Sequence, residues 1–204
     1  MTHLRSKRNS LKIFFHKFSS LILALAFCFL SLGFLFSLGK IKIIPRHNSY
    51  VFHLPVTKVL QDKSGNKIFV KLASSQREQE VGLSQTPALR IYQENGKIFT
   101  EGLLFIFDRA QVLTFWMKDM KFDLDLVWLN DQGEGDKMPN GKLKVVHLAK
   151  NVSKDSYHKE NPSLSTLYQN PGDKLAKYVL EISAGLSEKI DLQVGDEISL
   201  QGLR

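Results

Sequence analysis

From Met120 to Leu129 the side chains alternate. Met120, Phe122, Leu124, Leu126 and Trp128 fall on one face of an extended chain, and Lys121, Asp123, Asp125, Val127 and Leu129 on the other. A period of two sustained over this length fits a strand and does not fit a helix. One face belongs in a core; the other is wetter at its start and drier at its end. The rest of the chain after residue 55 is punctuated in the same way. "NKIFVKLA" (66–73) follows a turn, "DKSGN". "GLLFIF" (102–107) is an apolar run short enough for a buried strand and follows the tight turn "ENGK" (94–97). "KLKVVHLA" (142–149), "KYVLEI" (177–182) and "EISL" (197–200) read as further strands, the last after the turn "VGD".

Helical signals are few. Ser75 and Glu78 form a capping box, and Gly82 is a natural stop, so 75–82 is a predicted helix of about two turns. "SAGLSEKI" has room for one more turn. Residues 150–174 are polar, carry Asn-Pro twice and read as a long loop. No internal repeat and no strand–helix alternation is visible. The predicted fold is therefore mostly β, a compact antiparallel β barrel or sandwich with one or two short helices, spanning 56–204.

Ahead of this domain, "SLILALAFCFLSLGFLFSL" (20–38) carries no charge. A helix that crosses the hydrocarbon core needs about 20 such residues. The run is apolar on every face, unlike an amphipathic core helix. Five Lys/Arg precede it and three follow, which places the N-terminus inside and the remainder outside. The expected organisation is a basic cytoplasmic segment (1–19), a transmembrane anchor (20–39), a stalk (40–55) and an extracytoplasmic domain held at the cytoplasmic membrane. Ser37–Gly39 supplies the small residues a signal peptidase reads, so removal as a signal peptide is the competing expectation.

Charge excludes one class of partner. The net +8 resides in residues 1–46, which hold eight basic residues and no acid; residues 47–204 hold the other 20 basic residues against all 20 acidic ones. The domain has no basic excess with which to hold nucleic acid. The lone Cys28 excludes an intrachain disulfide and a thiolate metal cluster. It lies in the apolar run behind Phe27, where a lipoprotein motif needs a small residue.

The stretch "FWMKD" (115–119) raises the question of a site. Trp116 is a large ring with one polar tip, set beside Lys118 and Asp119, and such a group can line the lip of a cavity. It can equally plug one end of a barrel while Lys118 and Asp119 are solvated. Asp123 and Asp125 share a face about 6.5–7 Å apart by the rise of a strand, a spacing open to acid–base chemistry, although solvated aspartates on a strand are commoner. Glu181 lies between Leu180 and Ile182 and should point away from both. If buried it needs a partner such as Arg77 or Lys118, in a structural ion pair or as a ligand-anchoring charge.

No metal or cofactor is predicted. The acidic loop 130–141 fits a calcium cage poorly: with Gly135 as the turn glycine, Asn130, Gln132 and Glu134 take ligand positions and Gly141 stands where the bidentate Glu belongs. His47, His53, His147 and His158 show no ligand spacing, and the domain has neither a Gly-x-Ser-x-Gly element nor a Gly-rich phosphate loop.

Arg77 followed by Val81-Gly82-Leu83-Ser84, then "GLLFIFD", "FWMKDMKFDLDLVWL", "YVLEISAG" and "LQVGDEI", resemble in the same order the DUF192 (UPF0127) family. The resemblance covers about residues 67–200. It implies a small β-rich domain, often behind a signal peptide or anchor, and no settled activity. This chain departs from the pattern at Asp119, where asparagine is usual, at Ser84-Gln85 and at Leu103. If the residue after the lysine serves as an amide donor, ionised Asp119 cannot replace it.

The expected function is a non-catalytic binding or accessory module at the cell envelope, contacting the membrane through its N-terminal helix. Trp116, Lys118, Asp119, Asp125, Arg77 and Glu181 are the candidate cavity rim, and a small ligand or an envelope protein the partner. Two alternatives stand beside it. One is an enzyme acting on an envelope carbohydrate or small metabolite through Asp119, Asp123 or Asp125; the other is a structural, chaperone-like surface.

Overall fold

In a computed structural model of the chain the described residues are 55–56, 58–131 and 141–202, all within the compact unit Ile44–Arg204. The predicted anchor (20–39), most of the stalk and loop residues 132–140 lie outside them. Among the described residues no helix is long and apolar enough to cross a membrane.

The strands are β1 (Lys58–Gln61), β2 (Lys67–Ala73), β3 (Ile91–Glu94), β4 (Lys97–Gln111), β5 (Thr114–Phe115), β6 (Leu124–Asp131), β7 (Gly141–Val152), β8 (Tyr168–Gln169), β9 (Ala176–Ser183) and β10 (Glu197–Gly202). The helices are α1 (Gln76–Val81) and α2 (Leu186–Lys189). Seven strands run in the order β2-β1-β10-β7-β6-β9-β4, and β4 pairs back onto β2 to close a barrel. The predicted β barrel is present, with one correction. The seam β2–β4 is parallel, whereas the other six pairings are antiparallel. A parallel pair needs a long crossover, and residues 74–96, with α1 and β3, supply it.

β4 is much longer than its apolar run suggests. Its start pairs with β3 through the turn Asn95-Gly96, both at positive φ. Its middle pairs with β2, and with β9 on its other edge. At Gly102 these strands crowd: a Cβ there would stand 3.0 Å from the Glu181 carbonyl and 3.1 Å from Ile68 Cγ2.

All seven barrel strands send side chains into one core, including Leu60, Val70, Leu104, Val127, Val145, Leu180 and Ile198. A second cluster, with Leu83, Leu103, Phe105, Leu113, Met117, Leu124, Leu126, Trp128 and Val179, uses residues of the opposite parity on β4, β6 and β9. It therefore lies outside the barrel wall, under α1 and the 113–122 segment. β6 and β9 are buried on both faces as a result.

The alternation from Met120 is realised as a strand only from Leu124. The Met120 N–H donates to the Met117 carbonyl at 3.3 Å, and Asp119 takes φ 56°. This turn breaks the extended chain, although Met120 and Phe122 still pack on the outer cluster. The segment does not close a barrel end. The inner core instead receives Leu186 of α2, with Ile190 and Leu192 just after it.

Asp125 is not a solvated strand residue, nor on a cavity rim. It is completely buried. Its carboxylate accepts from the Asn151 N–H (2.8 Å), the Gly185 N–H (3.2 Å), and the N–H and hydroxyl of Ser187 (2.9 and 2.7 Å). It ties β6 to β7 and to the turn that starts α2. Asp123, exposed, accepts from the Lys154 N–H at 2.8 Å. Removing the Asp125 carboxylate strands the two buried donors of Ser187, each worth about 1–3 kcal/mol, and frees the less buried Asn151 and Gly185 N–H groups. Asp125→Ala is expected to lose on the order of 3 kcal/mol or more, read as a lower urea midpoint, whereas Asp123→Ala should change it by less than about 1 kcal/mol.

Candidate functional site

The outer cluster is incompletely covered, and the gap is a groove of about 340 Å³. One wall is α1 and the turn after it. The Ser75 hydroxyl accepts from the Glu78 N–H at 3.3 Å, and the Glu78 carboxylate accepts from the Ser75 and Ser74 N–H groups at 2.8 and 2.9 Å. This is the predicted capping box, and those donors hold the Glu78 carboxyl below its ordinary value. Gly82 ends the helix at φ 50°, ψ −136°, a conformation that L side chains rarely adopt. Gln79 Nε2 donates to the Ile106 carbonyl at 2.7 Å, pinning α1 to β4.

The opposite wall is the "FWMKD" segment. Ser84 Oγ donates to the Lys118 carbonyl at 2.8 Å and the Gln85 N–H to the Asp119 carbonyl at 3.0 Å. The two walls are thus joined through backbone. Positive φ at Asp119 explains its residue type, because Asn and Asp tolerate that region best. The position selects a conformation, and its main-chain carbonyl makes the contact.

Trp116 is 52% exposed. It lines the groove and packs edge-on to Tyr157 at 6.3 Å; it plugs nothing. The buried indole is Trp128, whose Nε1 donates to the Leu113 carbonyl at 3.0 Å beneath Phe115. Lys118 and Asp119 are exposed on the turn, and Arg77 is exposed on α1; none of the three is a lining residue. Of the six candidate residues the structure brings two, Trp116 and Glu181, to the groove.

Glu181 sits on the groove floor, 4% exposed. Leu180 and Ile182 face the inner core, so Glu181 points outward as its parity requires, yet the outer cluster buries it. The Leu83 N–H donates to its carboxyl, and burial pushes its pKa up to about 8. Oε2 has no hydrogen-bond partner among the described residues. The expected ion pair with Arg77 or Lys118 does not supply the partner; burial and the Leu83 N–H are what act on Glu181.

Sequence reasoning missed Phe105, Phe107, Phe115, Met120 and Leu167, which also line the groove. Phe105 and Phe107 share a parity with Leu103 in "GLLFIF", a signal that this strand has a second apolar face. Among the described residues no group of three or more His, Cys, Asp or Glu side chains could hold a metal ion.

A model of the family DUF192, described as "Uncharacterized ACR", matches residues 57–200. The chain belongs to the DUF192 family. The second cluster, the groove and the barrel, save the last two residues of β10, lie within the matched span. Two solved structures are similar to this chain. A proposed transcription regulator from Sinorhizobium meliloti is 21% identical, with a TM-score of 0.47 over 72% of this chain and 92% of its own. A protein of unknown function from Novosphingobium aromaticivorans is 20% identical, with a TM-score of 0.49 over 78% and 94%. No curated protein matches.

The DUF192 domain thus buries a titratable group beside its groove, with a consequence for stability. The native carboxyl of Glu181 holds its proton more tightly than the unfolded one. Its contribution is complete below the unfolded value of 4.5 and is lost as pH rises toward about 8. Between about pH 5 and pH 9 the wild type should lose a component on the order of a few kcal/mol that Glu181→Gln lacks. Urea unfolding at several pH values checks this, and parallel profiles for the two proteins would refute it.

Proposed function

We propose that this DUF192 domain is a membrane-tethered, extracytoplasmic binding module whose groove over Glu181 receives a small ligand. The observation that carries the reading is the pairing of an apolar, aromatic-walled groove with one buried carboxyl oxygen that has no partner among the described residues. Ligand sites are mostly apolar concavities of about 300–1,000 Å³ with a few polar groups that fix orientation. Leaving a polar atom buried without a partner costs on the order of 1–3 kcal/mol, a cost that a ligand donor or acceptor removes.

An enzyme built on the strand aspartates has less support. Asp125 is saturated by donors, Asp123 accepts from the Lys154 N–H, and neither lines the groove. Asp125→Asn would report on folding before it reported on turnover. Tethering rests on the uncharged run 20–38 and its basic flank.

Two experiments test the reading. Phenylalkyl fragments carrying an amine, an alcohol or a carboxylate are titrated against the protein while indole emission is followed. At least one should shift the emission, Trp116→Phe should abolish the shift, and Trp116→Ala should weaken binding by roughly tenfold. A shift that persists in Trp116→Phe would place the ligand elsewhere. The full chain should also resist extraction by alkaline carbonate and dissolve in detergent, with its C-terminal part digested by protease added outside. Recovery in the soluble fraction without detergent would remove the tether.

A further inference from the structure

We propose that the groove takes a small primary amine, with the ammonium head donating to Glu181 Oε2 and an apolar stem lying against the aromatic wall. This rests on the reading of the groove as a binding site, and names the ligand's chemistry.

Three independent features select the charge. First, among the described residues the lining contains two carboxyl groups, Glu80 at the rim and Glu181 at the floor, and no lysine, arginine or histidine. An anionic ligand would meet like charge from these residues. Second, Phe105, Phe107, Phe115 and Trp116 supply ring faces and edges around the same space, and a cation within about 6 Å of such faces is attracted by the ring quadrupole. Third, the Leu83 N–H already serves the Glu181 carboxyl, while Oε2 has no partner among the described residues. A charge-assisted N–H donor completes that carboxyl better than a neutral one.

Oε2 itself has almost no solvent-exposed surface, so the ammonium must part the groove floor to reach it. A Cβ on Gly82 would stand 3.6 Å from Glu181 Oε2 and 3.2 Å from Phe105 Cζ, and the glycine brings no side chain of its own to that position. The groove's volume suits a phenylalkyl-sized body and not a polymer.

Binding has a proton balance. The free protein carries Glu181 mostly protonated at neutral pH. The ammonium pairs with the ionised carboxylate, so the proton of Glu181 leaves to solvent as the amine enters. Among the titratable groups on the elements packed against Glu181, Glu80 of α1 is the other one that lines the groove. Arg77 and Glu78 on α1, Asp108 and Arg109 on β4, Asp125 on β6, and Lys118 and Asp119 on the facing turn lie off the lining. The titration belongs to Glu181.

The test is calorimetric titration of the full chain with 2-phenylethylammonium, 2-phenylethanol and 3-phenylpropionate, from about pH 6 to about pH 9. The amine is expected to bind at least about tenfold more tightly than the alcohol near pH 8, with no measurable heat from the carboxylate. Its apparent Kd should tighten by up to about tenfold per pH unit below pH 8 and then level off. Near pH 6.5 about one proton should be released per amine bound, read from buffers of different ionisation enthalpy. Glu181→Gln should bring the amine to the alcohol's affinity and remove the pH trend. Equal binding of amine and alcohol by the wild type would overturn the amine while leaving the groove a binding site. Silence from all three compounds would overturn both readings. Binding of an acetylated lysine tripeptide without binding of the free amine would overturn the small-molecule source in favour of a protein side chain.

Discussion

The structure depends on two strands that have no wet face. β6 and β9 stand in the barrel wall with Val127, Leu129, Leu180 and Ile182 inside and Leu124, Leu126, Trp128 and Val179 outside. A seven-stranded barrel of this size is filled by its own side chains, so a second apolar layer must be covered from elsewhere. α1, its following turn and the 113–122 segment provide that cover. Their positions are set by the need to bury the outer layer, and the groove is the place where the cover stops short. Site and fold therefore share one cause, the burial of apolar area on both sides of the same wall.

Polar groups caught in this double-sided wall are handled in two opposite ways. Asp125 points to the inner side and collects donors from three residues, on β7 and at the start of α2. Such a carboxylate is satisfied and structural. Glu181, one strand over and of opposite parity, has one backbone donor among the described residues and is buried against the outer apolar cluster. The cheapest resolution for an isolated buried carboxyl is to keep its proton. The two acids are thus separated in role by what surrounds them, not by residue type.

Much of this was legible in the residues. Period-two runs and turn signals found the strands β2, β4, β6, β7, β9 and β10, the capping box found α1, and the parity of "YVLEI" set Glu181 on the face opposite to Leu180 and Ile182. The short strands β1, β3, β5 and β8 were missed because two to four residues carry too little pattern to separate them from loop. The parallel seam was missed because pairing partners are a tertiary fact; nothing in "NKIFVKLA" says which edge it joins. Asp125 was misread because alternation assigns a face but not its cover, and α2 covers that face from about sixty residues away in sequence. Trp116 was found at the groove, while Lys118 and Asp119, on a turn with positive φ at Asp119, and Arg77, on the exposed face of α1, lie off its lining.

The order of strands around the barrel carries a consequence for biogenesis. β1 reaches β7 only through β10, so among the described strands the first and the seventh are joined by one synthesised after both. Until residues 197–202 arrive, β1 and β7 each present an unpaired edge, and edges of this kind recruit other chains. Closure also waits on pairings that are distant along the chain, which slows folding. A nascent chain truncated before β10 would be an open sheet with adhesive margins, and a cell that makes this protein has reason to shield it until β10 is in place.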